Sequence, residues 1–291
     1  MSNRIACILF AATLAASAPG AWADDMAGEE NGTGELPLWE VGLFGGAGRL
    51  PHYRGSDEYK TYYLPLPFLI YRGEVFRANR EGVKSIFWEN ERIETGLSMS
   101  GNPPVADDNR AREGMPELGA IGEIGPMLKG YLRDRRNPNP LYAVAAVRMA
   151  ISVDPDDFDT AHEGFRGDLR LVYRNYTWLE KWKVVFGLSA AVDFADAESQ
   201  RYFYEVEPRY ATAERPAYSP EGGYSGFSLS ANATKSLNSR LKLGVYYRWD
   251  NLAGSSYEDS PLVQAENNHI VGAALIWNIH RSEKKSSHSS L

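Results

Sequence analysis

The 291-residue chain holds five histidines, one cysteine and 38 carboxylates as raw material for chemistry. His269 with Ser256 or Ser260 could form the nucleophile–base pair of a lipid hydrolase. No nucleophile motif surrounds them, so His269 reads as a histidine at the rim of a strand. DPDDFD (154–159) suggests calcium, but it lacks the glycine at loop position six and the glutamate at position twelve of an EF-hand. It reads as a solvated acidic loop. DDNRAREGMP (107–116) sets two arginines among carboxylates, the makings of a phosphate clamp or of a loop held by its own ion pairs, which is the expectation adopted. ERPAYSPEGGYSG (214–226), rich in Pro, Gly and Tyr, is expected to order by aromatic packing and could fold over a mouth. Cys7 lies in an N-terminal apolar run, so the rest of the chain has no disulfide, thiol nucleophile or cysteine metal site. No catalytic residue, metal site or cofactor is expected.

A more systematic pattern is charge recurring at every second residue. In LKLGVYYRWD, Leu241 to Asp250, apolar Leu241, Leu243, Val245, Tyr247 and Trp249 alternate with Lys242, Gly244, Tyr246, Arg248 and Asp250. A period of two belongs to a strand with one apolar and one polar face. The same parity places Glu94, Glu123, Arg148, Arg166, Asp168, Arg170, Asp193, Lys242 and Arg248 on polar faces. These nine are the candidate lumen-facing charges, whose carboxylates offset the guanidinium and ammonium groups.

The elements behind them are strands: Leu38–Leu50, Tyr62–Tyr71, Val75–Asn79, Gly82–Trp88, Arg92–Gly101, Gly119–Leu132, Leu141–Val153, Phe165–Arg174, Lys183–Phe194, Gly226–Ser236, Leu241–Asp250 and Asn268–Ile279. That makes twelve, or ten if the weak third and fourth are dropped. Seventeen tyrosines and 27 glycines suit strands and turns better than helices. Residues 1–23 read as a signal peptide: Arg4, an apolar run from Ile5 to Ala16, then Ala21-Trp22-Ala23. Residues 24–37 form a flexible segment, 38–279 the strand domain and 280–291 a polar tail. Removing Arg4 from 31 basic residues leaves 30 against 38 acidic, a net charge of −8, so nucleic acid is not an expected partner.

Alternation alone fits a soluble sandwich and a membrane barrel with opposite sign. Three features favour the barrel. Trp39, Trp88, Tyr173, Trp182, Trp249 and Trp277 fall at strand ends, where an interfacial aromatic girdle would lie. The connections alternate between short turns and long loops, the expected periplasmic and extracellular sides of an outer-membrane barrel. The longer strands approach the length that a tilted membrane strand needs. An unpaired backbone group in hydrocarbon costs several kcal/mol, which predicts closure, and an arginine on the lipid face costs roughly 2–4 kcal/mol at mid-bilayer. The expected fold is a closed antiparallel transmembrane β-barrel, all-β, of about twelve strands.

Four stretches carry a resemblance: YRGSDEYKTYYLPLPFLIYRGEVFRANREGVKSIFW (53–88), DDNRAREGMPELGAIGEIGP (107–126), YFYEVEPRYATAERPAYSPEGGYSGFSLSA (202–231) and DSPLVQAENNHIVGAALIW (259–277). Together they resemble the MipA/OmpV family, that of the MltA-interacting protein, across nearly the whole chain after residue 23. The resemblance implies an outer-membrane barrel of a Gram-negative envelope, exported through the periplasm, inserted by the barrel-assembly machinery and surrounded by outer-membrane lipid and lipopolysaccharide. It implies a scaffold bringing a lytic transglycosylase together with a bifunctional penicillin-binding protein in peptidoglycan synthesis, and no catalytic residues. The polar tail departs from the family habit of ending on an aromatic residue. A narrow solute pore is the alternative, and a lipid hydrolase the third.

Overall fold

The computed structural model describes residues 37–72, 77–79, 82–84, 88–105, 109–135, 137–154 and 159–284. The expected signal peptide and residues 24–36 lie outside the described residues. The chain forms one antiparallel sheet from β1 (Trp39–Pro51), β2 (Tyr59–Arg72), β3 (Arg77–Asn79), β4 (Gly82–Lys84), β5 (Trp88–Glu89), β6 (Ile93–Asn102), β7 (Ala120–Tyr131), β8 (Leu141–Val153), β9 (Thr160–Asn175), β10 (Val184–Ala195), β11 (Gly223–Ser236), β12 (Leu241–Asn251) and β13 (Asn267–Arg281). Its order is β4-β3-β2-β1-β13-β12-β11-β10-β9-β8-β7-β6-β5. The first strand therefore pairs with the last, with Leu43 opposite Trp277 and Ala47 opposite Ala273. Cα atoms of β4 and β6 come within 8 Å, so the two ends of the sheet approach each other.

Several bounds differ from expectation. β2 begins at Tyr59, β9 at Thr160 and β11 at Gly223, and β13 continues through His280 to Arg281, into the expected tail. These extensions carry no alternation, and pairing to a neighbouring strand draws them in. Gly82–Trp88 appears as the fragments β4 and β5, with 85–87 outside the described residues.

Burial decides between the two readings of the alternation. On one face Val147, Leu169, Leu188, Leu243 and Val245 are 40–57% exposed. On the other, Glu123, Arg148, Asp168 and Asp250 are 0–7% exposed. A sandwich buries its apolar faces, whereas here the apolar face is open and the charged one is enclosed. Next to β1 and β13 the inner face becomes apolar, with Phe68, Ala274 and Ile276 packed against Phe44.

Short turns 90–92 and 237–240 lie at the end that also holds Trp39 and Arg281, here the turn end. Connections 103–119, 196–222 and 252–266 gather at the opposite, loop end. The loop end is folded. Its helix α1 (Ala197–Tyr204) starts at Asp196, whose carboxylate accepts from the Ser199 N–H at 2.9 Å. Tyr53, Val105, Leu118, Phe203, Tyr204, Val206, Leu252, Tyr257 and Leu262 make an apolar core from four separate loops, resting on Ile121 and Ala150 of the strands.

Candidate functional site

Beneath this cap the inward charges converge. Arg148 Nε donates to Glu123 Oε2 at 3.1 Å, its Nη1 to Ser98 Oγ at 3.0 Å, and its Nη2 to Asp168. Arg166 Nη1 reaches the other Glu123 oxygen at 3.1 Å, and Arg170 Nη2 reaches Asp168 Oδ2 at 3.1 Å. Arg248 donates to Asp250 Oδ1 at 2.6 Å and stands 3.7 Å from Asp193 Oδ2. In register Arg148 faces Arg166, and Asp168 faces Asp193. Like charges directly opposite repel; Glu123 is instead held by Arg148 and Arg166 from β8 and β9, and Asp168 by Arg148 from β8 and by Arg170 two residues along its own strand.

Seven of the nine expected charges thus come together: Glu123, Arg148, Arg166, Asp168, Arg170, Asp193 and Arg248. Glu94 lies instead at the turn end, 3.9 Å from Lys129 Nζ and 3.8 Å from Arg135 Nη2, with Lys129 over the rings of Tyr142 and Tyr131. Lys242 is also near the turn end, opposite Ile276 in register. Two members were missed. Asp250 shares the parity of Arg248 and was legible. Arg54 lies in the connection 52–58, and no sequence signal marks it. It reaches down from the cap to Asp193 Oδ2 at 2.9 Å and Asp250 Oδ1 at 3.0 Å. Burial opposes its charge, but the carboxylates of Asp250 and Asp193 outweigh that and raise its pKa well above the ordinary value. Gly226 permits this approach: its φ is +117°, and a Cβ there would stand 3.0 Å from Arg54 Nη2.

The cap is stitched by hydrogen bonds. Tyr204 and Tyr257 stack with centroids 3.8 Å apart and planes at 9°. Tyr204 Oη donates to Arg54 O at 2.9 Å, Tyr257 Oη to Ser225 O at 2.9 Å and Tyr53 Oη to Leu262 O at 2.8 Å. Within DDNRAREGMP, Asp107 and Asp108 lie outside the described residues. The expected ion pairs to those two carboxylates therefore lie outside the described residues, and among the described residues the arginines also reach other segments. Arg110 pairs with Asp57 and Glu58 of the first loop. Arg112 is buried and donates to Phe203 O at 3.1 Å, its pKa lowered by that burial. Burial works against the Glu58 carboxylate, but hydrogen bonds from Arg110 outweigh it and hold its pKa below the ordinary value. Arg215, in the Pro/Gly/Tyr-rich loop, donates to Ala111 O and Glu113 O at 3.0 Å.

The chemical candidates have other occupations. His269 Nδ1 lies 2.8 Å from Tyr247 Oη on the exposed face. Ser260 Oγ donates to Tyr204 O at 2.8 Å, and Ser256 Oγ lies 3.4 Å from Gln200 Nε2. Of the acidic loop, 155–158 lie outside the described residues. Asp154 N–H donates to Asp159 O at 2.9 Å and closes the connection.

The aromatic candidates separate by end. Trp39, Trp182 and Trp277 are exposed at the turn end, where half-buried Tyr173 meets Trp178 and Phe186 edge-on. Trp88 opens β5 near the same end, opposite Thr95. Trp249 is at the loop end, edge-on to Phe227 at 6.3 Å, in a row with Phe194–Tyr224 and His162–Phe165. Phe165 and Tyr173 are eight residues apart on β9, about 26 Å at ~3.3 Å per residue. At the ~35–45° tilt of outer-membrane strands this spans roughly 19–22 Å of depth, a little under their ~25 Å apolar band.

Residues 42–279 match the family described as MltA-interacting protein MipA. The chain is 26% identical over 249 residues to outer membrane protein OmpV of Vibrio cholerae, covering 82% of this chain and 85% of that one. It is 24% identical, with the same coverage, to outer membrane protein Omp26La of Vibrio anguillarum. Similar solved structures include the Pseudomonas putida toluene transporter TodX (TM-score 0.34, 10% identity, 88% of this chain and 91% of that chain). Another is OmpT of Vibrio cholerae (TM-score 0.33, 9% identity, 88% and 73%). The apolar exterior, the enclosed charges and the match over residues 42–279 agree: the chain belongs to the MipA/OmpV family and is an outer-membrane protein.

Proposed function

We propose that the chain closes into a plugged barrel of about twelve strands, loop end outside, and serves as a scaffold for murein-building enzymes at the periplasmic face. The approach of β4 to β6 and the cost of a bare sheet edge in lipid support closure. The inward charges then line the lumen, and the strand-end aromatics form the two girdles. Residues 1–23 are the cleaved signal peptide, and the barrel-assembly machinery inserts the remainder. Plugging follows from the paired charges and the apolar cap above them, which leave the turn end as the working surface.

The observation that carries the scaffold reading is a platform made by two turns. Asn139 in the connection 132–140 donates from Nδ2 to Thr177 Oγ1 at 2.8 Å and accepts from Tyr176 N–H at 2.9 Å. The charged segments RDRRNPNP (133–140) and NYTWLEKW (175–182), which offer a docking surface, are thereby held together, with the rings of Trp178 and Trp182 exposed. The family's description as MltA-interacting supports a lytic transglycosylase as one partner, and a bifunctional penicillin-binding protein is the proposed second. Envelope crosslinking should capture both enzymes on the wild-type protein and neither after 133–140 and 175–182 are replaced by Gly-Ser. Unchanged capture would remove these turns from the docking surface. The narrow-pore reading requires an open lumen. A steady planar-bilayer conductance, altered by Arg148→Ala or Arg248→Ala, would replace plugging with it.

A further inference from the structure

The outward face carries a hollow where β1 meets β13. Gly45 and Ala47 lie opposite Leu275 and Ala273 on one side, and opposite Pro65 and Tyr63 on the other. With Leu243 these residues line an apolar groove of about 490 Å³. A Cβ on Gly45 would meet nothing within 4 Å, so the groove is open at its floor. Larger outward side chains stand on β8 to β10, including Val147, Leu169 and Leu188.

The groove's loop-end rim is polar. Arg49, one outward position beyond Ala47, stands opposite Thr61 on β2 and Val271 on β13. It is exposed, and its guanidinium lies 5.2 Å from the centroid of the Tyr59 ring. Among the described residues no carboxylate pairs with it. Tyr59 Oη accepts from the His269 N–H at 3.0 Å, and His269 meets Tyr247 Oη. The row containing Trp249 and Phe227 marks this height as the membrane–water boundary. Near such a boundary an arginine on the lipid side costs only about 0–1 kcal/mol, and its planar fork suits a phosphate. From Arg49 to Gly45 is about 13 Å along the strand at ~3.3 Å per residue, or roughly 9–11 Å of depth at a tilt of ~35–45°, within the ~15 Å of one leaflet.

We propose that this groove binds one phosphorylated saccharolipid of the outer leaflet, lipid A, with an acyl chain against Gly45, Ala47 and Ala273 and a phosphate on Arg49. The site rests on the orientation above, loop end outside, but not on the scaffold role. The order of chemistry is that of the ligand: apolar depth, cation at the headgroup level, and hydroxyl and imidazole groups beside it.

The test uses the full chain purified in detergent, with bound lipid read by native mass spectrometry. Wild type should retain lipid A at least tenfold better than dephosphorylated lipid A or phosphatidylethanolamine. Arg49→Gln should erase that preference, Arg49→Lys should restore part of it, and Ala47→Leu should lower retention of both forms of lipid A. Heat-modified gel mobility identifies variants that fail to fold. Equal retention of both forms by wild type, or retention unchanged in Arg49→Gln and Ala47→Leu, overturns the site. If Ala47→Leu converts an oligomer to a monomer without altering retention, the groove is a protein contact and the proposal fails. Biotinylation of Glu214→Cys in intact cells reads orientation separately. Labelling only after the envelope is opened would overturn lipid A as the occupant.

Discussion

Replacing Arg54 with methionine tests whether the cap is locked to the charged interior. The substitution keeps a long apolar stem and removes the guanidinium between Asp193 and Asp250. Each contact of about 3 Å is worth about 5 kcal/mol by Coulomb's law at an effective dielectric constant of ~20, before the desolvation of Arg54 is subtracted. What remains on breaking a buried pair is about 3–5 kcal/mol. Asp250 keeps Arg248 at 2.6 Å, whereas Asp193 keeps it only at 3.7 Å, so the lower end of that range applies. Urea unfolding in detergent, followed by tryptophan fluorescence, should show this loss. Trypsin should cut first in the cap, at Arg201 or Arg209. Adding Asp193→Asn should recover part of the loss, because the orphaned carboxylate goes with it, giving a coupling of about 1–2 kcal/mol in a double-mutant cycle. A coupling below about 0.5 kcal/mol, with trypsin protection of the cap unchanged, would refute the lock.

Val245→Arg places a cation at mid-depth on the exposed face, four residues from Leu241 opposite Trp277 and four from Trp249. It should cost roughly 2–4 kcal/mol in bilayer unfolding, and a neutral effect would sink the lipid-facing assignment. Asn139→Ala removes the clamp between the two turns at a cost of about 1 kcal/mol, read as faster hydrogen exchange across 176–183. Exchange that stays slow would mean the turns are ordered independently. Glu58, with its folded pKa depressed, stabilises the first loop at pH above its unfolded value and loses that contribution as pH falls through the folded one. Exchange of the Arg110 N–H, which donates to Glu58 Oε1 at 2.9 Å, should therefore be slow at neutral pH and accelerate only below the ordinary carboxylate range. A transition above that range would contradict the pairing.

Parity made the wall legible. In LKLGVYYRWD the side facing each residue follows from counting by two, and Leu243 and Arg248 lie on the faces that this count assigns. The same rule reached Glu123, Arg148 and Asp168, because a strand paired on both edges has no freedom to rotate. The cap was not legible. Its segments have no period, and its contacts join residues far apart, as Arg54 and Asp193 are by 139 positions. The sequence showed that ERPAYSPEGGYSG was aromatic, but not that Arg215 would hold the backbone of the loop after β6. β3 to β5 were the weakest strands in pattern and are the shortest in the structure, since Arg77–Asn79 and Gly82–Lys84 offer only three rungs each.

The Arg54 bridge ties the first hairpin to the penultimate strand, so it can form only after the N- and C-terminal parts of the chain have met. A half-inserted molecule would present a loose loop with an unmatched cation, open to envelope proteases. Protection of the crown from proteolysis therefore reports that the opening hairpin and the penultimate strand have come together.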